Sequence, residues 1–120
     1  GVPQEIFKNI EAGLEIFERK QRFTNPDISL KSLADELNTN STYLSKVINT
    51  TKDMNFSQYL HHIRIKRIVE RLKNEEKLRQ YAVEAIAQEA GYKTAQSFTR
   101  AFYKETGIYP SYFLKRLKTK

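Results

Sequence analysis

Apolar residues recur every three or four positions along nearly the whole chain, with no sustained alternation of the kind a half-buried strand shows. Ile6, Ile10, Leu14 and Phe17 form the first stripe and predict a helix over about 3–22, with Pro3 suited to its first turn. Residues 23–29, which include Pro26-Asp27, break that pattern. A short helix is expected at about 30–37, N-capped by Ser29, and another at about 41–51. A long helix at about 56–73 follows, with Asn55 as its cap and Gln58 answering three residues later. Its residues Phe56, Leu60, Ile63, Ile68 and Leu72 are expected to face inward. The stretch 74–80 (NEEKLRQ) reads as a polar connection or a frayed helix end, and three further helices are expected at about 82–90, 94–106 and 110–118. The predicted fold is all-α, with about seven helices.

A repeat within the chain refines this picture. Residues 33–60 resemble residues 86–114: Leu33-Ala34 matches Ile86-Ala87 at an offset of 53, and Leu44, Lys46, Ile48, Asp53, Phe56 and Leu60 match Phe98, Arg100, Phe102, Gly107, Pro110 and Leu114 at an offset of 54. Each copy has what a helix-turn-helix needs. A small residue, Ala34 or Ala87, lets the second helix cross closely. Four positions later, Asn38 or Gly91 tolerates the left-handed backbone of a sharp turn. A polar cap follows, at Asn40 or Ser41 and at Thr94, and the next helix anchors itself through Leu44, Val47 and Ile48 or through Phe98, Ala101 and Phe102. Its other face stays polar: Thr42, Ser45, Lys46 and Asn49 in the first copy, Gln96, Ser97, Arg100 and Lys104 in the second.

Charge suggests what such faces meet. The chain has 120 residues and a net charge of +7. Residues 1–29 carry four bases against five acids, whereas residues 30–120 carry 17 bases against nine acids, a net of +8. A domain of that balance attracts polyanions, nucleic acid above all, although a merely solvated basic surface has the same composition. With no cysteine, thiolate chemistry, disulfides and Cys-ligated zinc are ruled out. Metal-binding His/Glu spacing, GxSxG and phosphate-cradling glycine loops are missing too, so no enzyme and no cofactor are expected. No apolar run is long enough for a membrane helix, and no signal peptide is apparent. The start Gly1-Val2-Pro3 suggests a piece of a longer protein.

The sequence resembles the AraC/XylS family of bacterial transcription regulators over about 29–116. The likeness rests on LAxxL, YLSK (43–46) and FxxYL (56–60) followed by Arg64-Ile65, then on IAxxxGY and SFTRAFYKETGxxP (97–110). The wording is closest to regulators of the Bacteroidetes type. Asp53 departs from the family by replacing a glycine, Asn49 and Tyr103 stand where lysine is common, and the connection 73–82 is somewhat long. The resemblance implies two tandem helix-turn-helix units joined by a long helix: 1–28 an N-terminal helix and break, 29–55 the first unit, 56–73 the joining helix, 74–81 a connection, and 82–120 the second unit with the C-terminal helix. The segment 1–28 is expected either to pack on the first unit or to couple to a missing upstream sensor domain.

The resemblance also implies double-stranded DNA as partner, and RNA polymerase as a second one. A joining helix of about 18 residues spans ~27 Å, and successive major grooves lie about 34 Å apart, so a monomer is expected to read two adjacent grooves. Thr42, Ser45, Lys46, Gln96, Ser97 and Arg100 are the candidate base readers: Arg100 and Lys46 for guanine, Gln96 for adenine. Ser41, Asn49, Thr94, Lys104 and Ser111 are the candidate phosphate contacts. A surface ion pair with Glu105 or another acid is the competing role for Arg100, and a phosphate contact the competing role for Lys46. Arg64 is expected to be structural, His61 and His62 ordinary surface or groove-edge residues, and the seven Tyr and seven Phe core packing. The competing function is a helical interaction module for an acidic protein. The expected location is cytoplasmic, on the nucleoid, with membrane anchoring left open for a longer parent chain.

Overall fold

In the computed structural model, residues 1–119 are described; Lys120, the last residue of the 82–120 segment, lies outside them. Eight α-helices and no strands occur among the described residues: α1 (Gln4–Arg19), α2 (Leu30–Glu36), α3 (Ser41–Lys52), α4 (Phe56–Asn74), α5 (Glu76–Arg79), α6 (Val83–Ala90), α7 (Ala95–Thr106) and α8 (Pro110–Lys118). The chain divides into two compact units, Gly1–Leu60 and His61 onward, and α4 begins in one and continues in the other.

In the first unit, α1 buries Ile10, Leu14 and Phe17 and packs on α3, so the N-terminal helix is part of the first helix-turn-helix core. Gly13 permits its approach to the end of α2: a Cβ there would lie 2.5 Å from Leu37 Cδ2. Helix α1 stops at Arg19, three residues short of the expected end, because Gln21 turns left-handed (φ 55°) and opens a 3-10 turn over Arg22–Thr24. That turn brings Phe23 edge-on to Phe17, with ring centroids 6.2 Å apart. Ser29 caps α2 as expected, and here Ser32 completes the capping box.

The second unit contains one buried cluster, in which Ile65, Ile68 and Leu72 of α4 meet Leu78, Ile86 and Phe102. Arg71 holds its edge, with Nε 2.8 Å from Glu75 Oε2 and Nη1 2.9 Å from Glu89 Oε1. These contacts raise the guanidinium pKa and lower that of the Glu75 carboxyl.

Two sequence expectations need correction here. The stretch 74–80 includes the one-turn α5, whose Leu78 is only 2% exposed. Burying a leucine stabilises by roughly 2 kcal/mol, enough to hold a turn that propensity alone would leave frayed. Arg79 Nη1 also donates to the Leu72 carbonyl at 2.8 Å, satisfying the end of α4. On α4 itself, Phe56 and Ile63 are only half-buried, and Tyr59 and Ile65 take their places inside. A single stripe could not describe this helix, because it supplies Tyr59 and Leu60 to one core and Ile65, Ile68 and Leu72 to another.

Candidate nucleic-acid interface

The repeat seen in sequence is repeated in backbone hydrogen bonds. After α2, Asn38 is left-handed (φ 56°) and Thr39 N–H donates to the Ala34 carbonyl at 2.9 Å. After α6, Gly91 is left-handed (φ 105°) and Tyr92 N–H donates to the Ala87 carbonyl at 2.9 Å. Both turns thus use the wide hydrogen bond that closes a helix over a left-handed residue. Asn40 Oδ1 then accepts from Tyr43 N–H at 2.8 Å, and Thr94 Oγ1 accepts from Ser97 N–H at 3.1 Å, so Asn40 and not Ser41 is the cap of α3. At the far ends, Asp53 (φ 56°) and Gly107 (φ 80°) terminate α3 and α7 in the same left-handed conformation.

Each second helix is therefore set by its ends and by a buried face, Leu44, Val47 and Ile48 on α3 and Phe98, Ala101 and Phe102 on α7. The opposite faces reach solvent. Thr42, Lys46 and Asn49 are exposed on α3, with Ser41 and Ser45 half-exposed. On α7, Gln96, Arg100 and Lys104 are exposed and Ser97 is half-exposed, while Thr94 and Ser111 lie exposed at the starts of α7 and α8. Lys46 and Asn49 also border an open groove of about 490 Å³ whose other wall is Gly1, Val2 and Phe7.

Some basic side chains are neutralised locally and others are not. Arg22, Lys52 and Arg71 are paired with Glu36, Glu18 and Glu75, whereas Lys46, Arg100 and Lys104 have no ion pair among the described residues. The carboxylate expected to compete for Arg100 is engaged elsewhere: Glu105 Oε2 lies 3.2 Å from His62 Nδ1.

Hydroxyl chemistry is less free than the sequence suggested. Thr94 Oγ1 donates to Ser97 Oγ at 2.9 Å, and Ser97 Oγ donates to the Thr94 carbonyl at 3.1 Å. Both protons are thereby held within the cap, which leaves Ser97 able to accept but not to donate. The Asn49 amide donates to the Ser45 carbonyl at 3.3 Å, leaving its oxygen and its second amide proton available.

Stepping about 100° per residue, Thr42, Ser45, Lys46 and Asn49 form one stripe on α3. The 54-residue offset carries that stripe to Gln96, Thr99, Arg100 and Tyr103 on α7. Thr99 and Tyr103 were not among the sequence candidates, although the offset alone points to them. Ser97 and Lys104 sit toward the flank of the same face.

The histidines and tyrosines also depart from expectation. His61 is not an ordinary surface group. Its Nδ1 lies 2.7 Å from the Tyr92 hydroxyl and its ring stacks on that of Tyr92 with an 8° interplanar angle. Burial, and then the neighbouring Arg64 charge, lowers the His61 pKa. Arg64 is 6% exposed with its guanidinium 5.1 Å from the Tyr92 ring centroid, the structural role expected for it. Four phenylalanines are buried, but Tyr81, Tyr103, Tyr109 and Tyr112 are exposed, so packing does not account for most of the tyrosines. Among the described residues no cluster of three or more His, Asp or Glu is placed to hold a metal, and no helix is long and apolar enough to cross a membrane.

Comparison with known proteins adds four findings. Residues 33–116 match the family described as Helix-turn-helix domain. The uncharacterized transcriptional regulatory protein YesN of Bacillus subtilis (strain 168) is 34% identical over 94 residues, which make up 77% of this chain and 25% of that protein. The chain thus spans about a quarter of that curated relative. Among solved structures, the C-terminal domain of AraT, a response regulator from Geobacillus stearothermophilus, is 27% identical with a TM-score of 0.77, over 90% of this chain and 84% of that one. The DNA-binding domain of AdpA, a global transcriptional factor solved with a target DNA, shares the fold at a TM-score of 0.78 and 12% identity, over 92% and 93% of the two chains.

Proposed function

The chain belongs to the AraC-type helix-turn-helix family, and on that footing we propose that it is the sequence-specific duplex-DNA-binding part of a transcription regulator. The observation that carries this reading is the duplicated polar stripe, each copy with a cation that has no ion pair among the described residues. Each unit lays its second helix, α3 or α7, in a major groove.

Arg100 reads guanine O6 and N7 through its fork, and Lys46 reads the same atoms as a single donor. Gln96 pairs with adenine, while Thr42 and Ser45 supply short hydroxyls and Ser97 an acceptor for a base amino group. Ser41, Asn49, Lys104 and Ser111 face phosphates and fix register without reading sequence, and Thr94, whose own hydroxyl proton is held in the cap, presents the N–H groups at the start of α7. Because the two stripes carry different residues, the site is asymmetric, and one chain occupies it as a monomer.

The test is competition binding. One short duplex should be bound at least about 10³-fold better than random duplex, with a log–log salt slope of about −0.9 per phosphate neutralised. Equal binding to all duplexes, or tighter binding to an acidic protein than to any of them, would overturn the reading.

A further inference from the structure

The α7 stripe ends on an exposed aromatic side chain, Tyr103. Tyr103 is equated by the repeat with Asn49, lies on the same face as Gln96 and Arg100, and is 47% exposed. Its ring centroid is 4.6 Å from that of Tyr109, which is 55% exposed and directly precedes α8. The backbone at Tyr109 is fixed, its carbonyl accepting from Phe113 N–H at 3.1 Å. Neither phenol has a hydrogen-bond partner among the described residues. The core aromatics Phe98, Phe102 and Phe113 pack among themselves at 5.6–5.7 Å, without this pair.

We propose that the Tyr103 hydroxyl donates a hydrogen bond to a DNA backbone phosphate at the wall of the groove that α7 enters, with Tyr109 as the positioning residue that holds its ring. This rests on the reading of α7 as a groove-binding helix. Residues at the start of such a helix reach base edges. Tyr103 lies roughly 10 Å further along the axis than Gln96, where the helix leaves the groove floor for its wall. A ring already packed on a neighbour, here tilted by 31° to it, loses less freedom on binding than a free side chain. The nearest acid in sequence, Glu105, is engaged with His62. The contact is neutral, so it adds affinity without releasing a counterion.

That last property gives the test. Dissociation constants of the full chain for its selected duplex are measured over a salt series for wild type, Y103F, Y109F, Y109A and Y103K, with folding of each checked by circular dichroism. Y103F should bind about tenfold more weakly at every salt, with an unchanged slope. Y109F should match wild type, whereas Y109A should weaken binding, again with an unchanged slope. Y103K should regain affinity at low salt and steepen the slope by about 0.9. Wild-type affinity in Y103F, or an unaltered slope in Y103K, overturns the phosphate contact while the groove reading stands. A wild-type chain that prefers no duplex over random sequence overturns both.

Discussion

The Tyr59 hydroxyl donates to Glu18 Oε2 at 2.6 Å across 41 residues of sequence, tying the first turn of α4 to the end of α1. Lys52 at the end of α3 reaches the same carboxylate oxygen at 3.7 Å. Helix α1 is therefore fastened to both helices at the junction, beyond its apolar packing. A buried phenol bonded to a carboxylate should be worth about 1–3 kcal/mol. Y59F should lower the urea midpoint accordingly, and E18Q combined with Y59F should cost less than the sum of the two single changes. An unchanged midpoint in Y59F would show that packing alone holds α1.

The same phenol makes stability depend on alkaline pH. Burial raises the Tyr59 pKa above its ordinary 10.0, with Glu18 adding to the effect, and burial raises that of Tyr92. A folded-state pKa raised in this way contributes stability fully present below pH 10 and lost as pH climbs toward the folded values. On the acid side the sign reverses for His61, whose pKa is depressed below 6.5 by burial and by Arg64. Its contribution is present above pH 6.5 and lost as pH falls. Thermal melts should decline above pH 10 and below pH 6.5, with Y59F flattening the first limb and H61N the second.

Asp53 and Gly107 end α3 and α7 in the same left-handed conformation, one with a side chain and one without. D53G should stabilise by about 0.5–1 kcal/mol, the relief of strain being partly offset by a freer unfolded chain. G107A should destabilise by about 1–2 kcal/mol. Because nothing lies within 4 Å of a Cβ placed at Gly107, that loss would be backbone strain alone. Chemical denaturation of both variants measures the pair, and equal effects of the same sign would contradict it.

Lys104 and Tyr103 should separate charge from hydrogen bonding. K104A should weaken binding to every duplex alike and reduce the salt slope by about 0.9, whereas Y103F should leave the slope unchanged. A sequence-dependent effect of K104A in competition assays would move that residue from phosphate to base contact.

Much of the fold was legible because helix ends are written in local chemistry. The Asn55–Gln58 box is present with both bonds, at 2.8 and 2.9 Å, and Asn38, Asp53, Gly91 and Gly107 are all left-handed. What escaped depended on contacts distant in sequence. Nothing around Gln21 announces a positive φ, which follows from packing Phe23 on Phe17. Leu78 looks isolated among charges until the second core closes over it. His61 reads as a surface residue until Tyr92, 31 positions later, stacks on it. For the proposed interface, the 54-residue offset also places Thr99 and Tyr103 on the α7 stripe, beside the Gln96, Ser97, Arg100 and Lys104 that the sequence offered as candidates.

Selection of bound duplexes from a random pool, run in parallel with wild type and Arg100→Ala, tests the central claim most directly. Wild type should return one asymmetric site. R100A should return the same site with a single position relaxed from guanine, at a cost of about 1–3 kcal/mol for the original sequence. Recovery of an unaltered site by R100A at undiminished stringency would contradict the assignment of the α7 face to base reading.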